Sequence, residues 1–382
     1  MRILHVISAL DPAAGGPAEV VRVLMEYGPE GCDQEVVTLD DPDESFLRQI
    51  AFPVHALGPP TSKYARSTKL IPWLKANRSR FDGVVVHGLW QYPGYAVWRT
   101  MRDHVPYVVF THGMLDPYFK HAFPLKQLKK WLYWLPVEYW VLRHADHVLF
   151  TCGVEAELAT RSFWLHRWKA QVVPFGTTAP EGDADSQRAA FFQACPAAQG
   201  RRFLLFLGRI DRKKGCELLL DAFVKVAAQN PELDLVMAGP DAQGWREELL
   251  RSVPDADIAA RIHWPGMLRG DAKWGAFRAA EAFVLPSHQE NFGIAVAEAL
   301  ACGKPVLLSD KVNIAAEIAA DGAGLMETDT AAGTERLLAR WTALPPAERE
   351  AMAAQALRCF HRRYDMRENA KTTLRLFEKG SL

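Results

Sequence analysis

Two glutamates separated by seven residues, Glu290 and Glu298, stand in the segment Pro286–Val306, PSHQENFGIAVAEALACGKPV. A strand reads up to Pro286, a polar loop carries Glu290, a helix opens near Gly293, and a further strand begins at Pro305. The unpaired N–H groups at a helix start carry partial positive charge and suit a phosphate. A loop at the carboxyl end of a strand is also where open α/β sheets bind ligands. Glu298, just over one turn into the helix, is placed to accept hydrogen bonds from two vicinal hydroxyls, and Glu290 to do so for a second polyol. A second cluster, FLGRIDRKKG over Phe206–Gly215, follows another apolar run. Its Arg209 offers a planar fork and its Lys214 a point charge, a pair suited to a diphosphate.

Smaller signals follow other strands. Ala14-Gly15-Gly16-Pro17 comes after the first apolar run. Glycines let backbone approach a ligand closely, and proline opens helices. The spacing is not that of a dinucleotide fingerprint. His112 ends the run Val109–Thr111, and His87-Gly88-Leu89-Trp90 closes the run before it, lining the same crevice.

These positions need strands to hold them. In the first half, apolar runs at Arg2–Ser8, Glu35–Leu39, Gly83–His87, Tyr107–Thr111, His147–Thr151 and Gln171–Pro174 read as strands. A second series follows at Phe203–Gly208, Leu233–Ala238, Arg261–Trp264, Ala282–Pro286, Pro305–Ser309 and Gly324–Met326. The runs are continuous rather than alternating, as in strands of a parallel sheet covered on both faces. Helical stretches such as Pro17–Met25, Tyr95–Arg102, Leu125–Arg143, Glu217–Ala228 and Ile294–Ala301 fall between. The alternation predicts α/β architecture with right-handed crossovers. The polar, turn-forming stretch Thr177–Arg202 marks a boundary. We expect a first Rossmann-like domain over 1–178 and a second over 179–361, with a C-terminal helix at about 362–382 packing back on the first.

With these motifs in place the chain resembles the retaining glycosyltransferases of the GT-B fold, the large Glu-x7-Glu family (glycosyltransferase family 4, or glycosyl transferases group 1). The resemblance is specific around 206–215 and 286–306 and looser over the first 180 residues. It implies two Rossmann-like domains with parallel sheets facing across a cleft that holds a UDP- or GDP-linked sugar. It implies that Glu290 contacts the transferred sugar and Glu298 the nucleotide ribose, with Asn291, Phe292, Gly293 and Ile294 around the donor. It implies that Arg209 and Lys214 neutralise the leaving diphosphate, that Gly15 and Gly16 face it, and that His112 bonds the donor sugar. Lys213 has no counterpart and is expected to face solvent. Met114-Leu115-Asp116-Pro117 resembles a subgroup that builds exopolysaccharides and O-antigens, with Asp116 a candidate acceptor contact. Where many relatives have a glycine-rich loop after the Pro305 strand, this chain has Asp310–Glu317, DKVNIAAE, which leaves the sugar open.

The composition is that of an ordinary globular protein, 49% hydrophobic and 24% charged. Lys+Arg and Asp+Glu balance at 45 each, so no global field recruits nucleic acid. Six cysteines without paired or zinc-like spacing read as reduced thiols. No leader is evident at the N-terminus, and we expect a cytoplasmic location. Lys120–Arg143 mixes Lys126, Lys129, Lys130 and Arg143 with Trp131, Tyr133, Trp134, Tyr139 and Trp140. That pattern makes residues 120–143 a candidate contact with an anionic surface on the inner face of the cytoplasmic membrane, or with a lipid-linked saccharide acceptor. Thr61–Arg80 adds six basic residues and no acidic one. No paired aspartates at a strand end offer a metal site, so no cofactor is expected and activity should not need a divalent cation. Two alternatives remain: a sugar-nucleotide epimerase of the same fold, and a Rossmann oxidoreductase, the latter disfavoured by the missing fingerprint.

Overall fold

A computed structural model describes residues 1–11, 16–118, 120 and 124–378. The chain divides into two compact units, Met1–Phe175 with Met366–Leu382, and Gly176–Asp365. Each is a parallel sheet flanked by helices.

The first sheet has seven strands: β1 (Arg2–Val6), β2 (Asp33–Thr38), β3 (Val54–Ala56), β4 (Gly83–His87), β5 (Tyr107–Phe110), β6 (His147–Phe150) and β7 (Ala170–Val172). Their spatial order is β3-β2-β1-β4-β5-β6-β7, all parallel. The second sheet has six: β8 (Arg202–Leu207), β9 (Leu233–Ala238), β10 (Ile262–Gly266), β11 (Ala282–Leu285), β12 (Val306–Ser309) and β13 (Gly324–Glu327). Their order, β10-β9-β8-β11-β12-β13, is the same doubly wound path with one strand fewer. The predicted α/β class with two Rossmann-like halves is the observed one. The central strands β4, β9, β11 and β12 are buried along their whole length, which is why their sequences run apolar without alternation.

In each sheet the winding reverses beside the first strand, between β1 and β4 and between β8 and β11. Loops at the carboxyl ends of strands flanking such a reversal splay apart and leave a crevice, the usual ligand site of an open α/β sheet. The β8 and β11 loops carry the Arg209–Lys214 cluster and Glu290.

The predicted helix Leu125–Arg143 is realised as Pro124–Tyr133 and Tyr139–His144, joined by a π-type turn at Trp134–Glu138. Pro136 lies in that turn; a proline supplies no N–H to the helical ladder. The helix expected from Tyr95 starts earlier, at Tyr92, with Pro93 in its first turn. Within the first unit the helix Met366–Leu374 meets the end of the sheet, where Asn369 Nδ2 donates to the Phe175 carbonyl at 3.4 Å.

Candidate active site

The second unit builds its half of the site from two interlocked loops. After β8, the Asp211 carboxylate accepts the Lys213 N–H at 2.9 Å and caps a single turn, Arg212–Lys214. Gly215 ends that turn with φ of 66°, and a Cβ there would stand 2.1 Å from the Pro286 carbonyl oxygen. Only glycine satisfies both the left-handed backbone and the close approach of the β11 loop. The Lys213 carbonyl accepts the His288 N–H at 2.9 Å, so the two loops are also joined through backbone. Lys213 is half-buried, which corrects the expectation that it faces solvent. Lys214 Nζ forms an ion pair with the Glu290 carboxylate, the two side chains being 18% and 15% exposed. Arg209 is exposed at the end of β8 and has no side-chain partner among the described residues.

His288, which the sequence reading passed over, sits between two carboxylates. Its Nε2 is 3.0 Å from Glu217 Oε1 and its Nδ1 2.7 Å from Asp329 Oδ1. The hydrogen bond to Glu217 and the two negative charges raise its pKa above the ordinary 6.5. The imidazole thereby ties the β11 loop to the helix Cys216–Ala227 and to the turn after β13.

Glu290 is held through its backbone. Its N–H donates to the Lys311 carbonyl at 2.9 Å and its carbonyl accepts from Asn313 at 3.1 Å. The unusual Asp310–Glu317 loop therefore lies along Glu290, and Asn313 Nδ2 reaches Asn291 Oδ1 at 3.5 Å. Phe292 is buried with its ring edge-on to Tyr364. Gly293 has φ of 79° and begins the helix Ile294–Ala301 with no side chain capping it. Glu298 is 7% exposed, and its Oε1 is 2.7 Å from Lys273 Nζ. Lys273 comes from the helix Gly270–Ala279, where nothing in the local pattern marks it. The structure thus brings Lys214 and Glu290 together and gives Glu298 a cationic partner that the sequence did not disclose.

In the first unit, His112 follows β5 with φ of 48°, unusual for a residue with a Cβ, and Gly113 continues the turn at 75°. A buried carboxylate holds this turn. Glu155 Oε1 accepts from the Gly113 N–H at 2.8 Å and the Thr111 hydroxyl at 2.9 Å; its Oε2 accepts from the Thr151 N–H at 2.7 Å and hydroxyl at 2.6 Å. Behind His112 stands a row of imidazoles. His112 Nε2 is 3.1 Å from His87 Nδ1, and His87 Nε2 is 3.0 Å from His5 Nδ1. Burial lowers the pKa of His112 to about 3 and of His5 to about 4, and that of His87 falls well below 6.5. All three are therefore uncharged at neutral pH. Asp116 is buried and its Oδ1 accepts the Tyr118 N–H at 2.8 Å, a local turn contact. Gly16 opens the helix Gly16–Glu26 and is exposed; Gly15 lies outside the described residues.

The stretch 120–143 is only partly as expected. Trp134 and Tyr139 are core residues, and Lys130 lies over the Trp90 ring, 4.5 Å from its centroid, where burial lowers its pKa. Lys129, Trp140 and Arg143 are exposed as expected, and beside them the segment exposes leucine: Leu125 at 79%, Leu128 at 63% and Leu132 at 75%. Residues 121–123 and the Lys126 side chain lie outside the described residues. No helix among the described residues is long and apolar enough to cross a membrane. Among those residues no group of three or more His, Cys, Asp or Glu side chains is disposed to hold a metal ion.

Comparison with known proteins bears on the fold and on the two halves of the chain. Residues 15–176 match the family described as Glycosyl transferase 4-like domain, and residues 187–358 match Glycosyl transferases group 1. A D-inositol 3-phosphate glycosyltransferase of Actinosynnema mirum is 30% identical over 235 residues, covering 57% of this chain and 54% of that protein. Its counterpart in Nocardiopsis dassonvillei is 29% identical over 232 residues, covering 56% and 52%. The chain thus spans about half the length of these curated relatives. Among solved structures, a glycosyltransferase of Rickettsia africae superposes with a TM-score of 0.78 at 12% identity, covering 99% of this chain and 98% of that one. HepE of Anabaena, solved with UDP and glucose, superposes with 0.74 at 16% identity, covering 99% and 100%. At such identities the likeness is one of fold. The two family matches between them take in most of the chain, a glycosyl transferase 4-like stretch followed by a glycosyl transferases group 1 stretch.

Proposed function

We propose that this protein transfers a sugar, with retention of anomeric configuration, from a UDP- or GDP-linked donor to a glycan or lipid-linked saccharide in the building of a bacterial surface polysaccharide. One observation carries the reading: at the switch point of the second sheet, the Arg209–Lys214 loop after β8 and the uncapped helix start at Gly293 after β11 converge around Glu290. In this reading Arg209 and Lys214 take the diphosphate, Glu290 the sugar hydroxyls and Glu298 the ribose. Asn291, Ile294 and the backbone of Phe292 and Gly293 line the donor; a role for Gly16 and His112 toward it rests on the family resemblance alone, and Gly15 lies outside the described residues. As the bond from the anomeric carbon to the phosphate oxygen breaks, negative charge grows on the diphosphate. The Lys214 ammonium, held by Glu290, and a helix N-terminus stabilise that charge without reorganising. The acceptor hydroxyl adds on the face the phosphate leaves, and its proton passes to the departing phosphate oxygen. A divalent metal has no part in these steps.

A nucleotide screen by thermal shift tests the proposal. UDP or GDP should raise Tm, since a ligand at about 100 times its Kd stabilises by roughly 2.7 kcal/mol, and EDTA should not remove the effect. Stabilisation by NAD alone would point to an oxidoreductase. A second reading of the acceptor, an inositol phosphate, is favoured by the names of the curated relatives. Offering both acceptor types with a responding donor decides between them, and the anomeric signal of the product reports retention. The exposed leucines at 125, 128 and 132, beside exposed Lys129, support a lipid-facing surface. Flotation with anionic but not neutral vesicles at low salt is the expected result.

A further inference from the structure

We propose that Gln34 sets the position of the proton on His112, acting through His5 and His87, so that His112 meets its substrate at Nδ1 as a hydrogen-bond acceptor. That a substrate lies at this nitrogen rests on the transferase reading; the proton position does not.

The direction follows from one fixed end. Gln34 Nε2 is 3.0 Å from the Leu24 carbonyl, which can only accept. The amide NH2 therefore points at Leu24, and Gln34 Oε1 is the atom 2.9 Å from His5 Nε2. An amide oxygen can only accept, so His5 carries its proton on Nε2. A neutral imidazole has one N–H, so His5 Nδ1 is bare and accepts, and His87 Nε2 must donate to it across 3.0 Å. The same step repeats. His87 Nδ1 is bare, and His112 Nε2 donates to it across 3.1 Å. His112 Nδ1 is then left as a lone pair, with no partner among the described residues.

Reversing one ring alone would set N–H against N–H or lone pair against lone pair at 3.0–3.1 Å. Reversing all three would require turning the amide, which would place its oxygen against the Leu24 carbonyl oxygen. Burial keeps a second proton off His5 and His87, 0% and 4% exposed, and desolvation lowers the pKa of the partly buried His112 to about 3. The left-handed backbone at His112, tied through Gly113 to Glu155, fixes the last ring at the end of the row.

The chemical consequence is a preference. A lone pair accepts from a hydroxyl and repels a carboxylate, so the group met by His112 is a sugar hydroxyl rather than the acid of a uronate. Gln34, His5 and His87 are positioning residues in this scheme.

The test is nitrogen NMR of the ligand-free full chain with 15N-labelled histidine at neutral pH, the His112 signals being assigned by their loss in His112→Gln. The expected spectrum shows His112 with a protonated Nε2 and a bare Nδ1. Gln34→Leu removes the fixed end, and the Nδ1–H form of His112 should then become populated. A wild-type His112 protonated on Nδ1 would overturn the proposal, as would a folded Gln34→Leu protein in which His112 remains wholly Nε2–H. If Gln34→Leu does not fold, the wild-type spectrum alone decides. No substrate is present, so the outcome is independent of whether the protein binds a nucleotide sugar.

Discussion

Lys214 and Arg209 differ in what holds them before a ligand arrives. Lys214 is already paired with Glu290, whereas Arg209 is exposed and unpaired among the described residues. A diphosphate entering beside Lys214 shares an ammonium that is fixed in place, and interactions that strengthen as charge develops raise the rate rather than the affinity alone. Lys214→Ala should therefore lower kcat by about 10²–10³, the usual effect of losing one preorganised donor. Arg209→Lys keeps the charge but loses the fork and should remain impaired. Arg212, 77% exposed on the same turn, is the control: Arg212→Ala should leave kcat unchanged in steady-state kinetics with the donor varied. Residues of this kind were legible in the sequence because the short strand–loop–helix segments that position them are continuous: Arg209 and Lys214 in one, Glu290 and Glu298 in the other. Lys273, His288, Glu155 and Gln34 were not, because their partners are 25, 71, 44 and 29 residues away and only the folded chain brings them together.

The loops after β8 and β11 behave as one element. Gly215 admits the Pro286 carbonyl, His288 grips the Lys213 carbonyl, and the ion pair of Lys214 with Glu290 closes the contact. Gly215→Ala adds a Cβ at 2.1 Å from a backbone oxygen and a residue that disfavours φ of 66°. It should separate the loops, costing about 1–3 kcal/mol in urea unfolding and weakening nucleotide binding together with it. Unaltered stability and binding would mean that the loops are not coupled. Strands and long helices were readable from apolar runs because both faces of these sheets are covered. β3, three half-buried residues, carried too little signal, and the π-type turn at Trp134–Glu138 cannot be told from helix by periodicity.

The two units should respond to pH in opposite directions. In the first, His5 and His87 are buried and His112 is partly buried, all three uncharged, and the native pKa of His5, about 4, lies below its unfolded 6.5. Between those values the unfolded chain binds the extra proton, so this stability is present above pH 6.5 and is lost as pH falls toward 4. His5 alone contributes roughly 3 kcal/mol over that interval, at about 1.4 kcal/mol per pH unit. In the second unit His288 has a raised pKa, so its contribution is complete below 6.5 and is lost as pH rises through its native value. Calorimetric melting across the acid range should show Tm falling steadily from pH 6.5 downward, and His5→Asn should flatten that slope. The two-unit organisation was legible from strand–helix alternation and the polar stretch Thr177–Arg202; the pH response was not, since it depends on which histidines the fold buries. The central claim, that the second unit binds a nucleoside diphosphate through the β11 loop and its helix, is tested most directly by calorimetric titration of UDP and GDP into wild-type protein and Glu298→Ala. Loss of hydrogen bonds to a charged acceptor is worth about 1.5–3 kcal/mol, so the variant should bind roughly 10- to 100-fold more weakly than wild type. Equal affinity in the two proteins, or no binding of either nucleotide to wild type, would contradict the account.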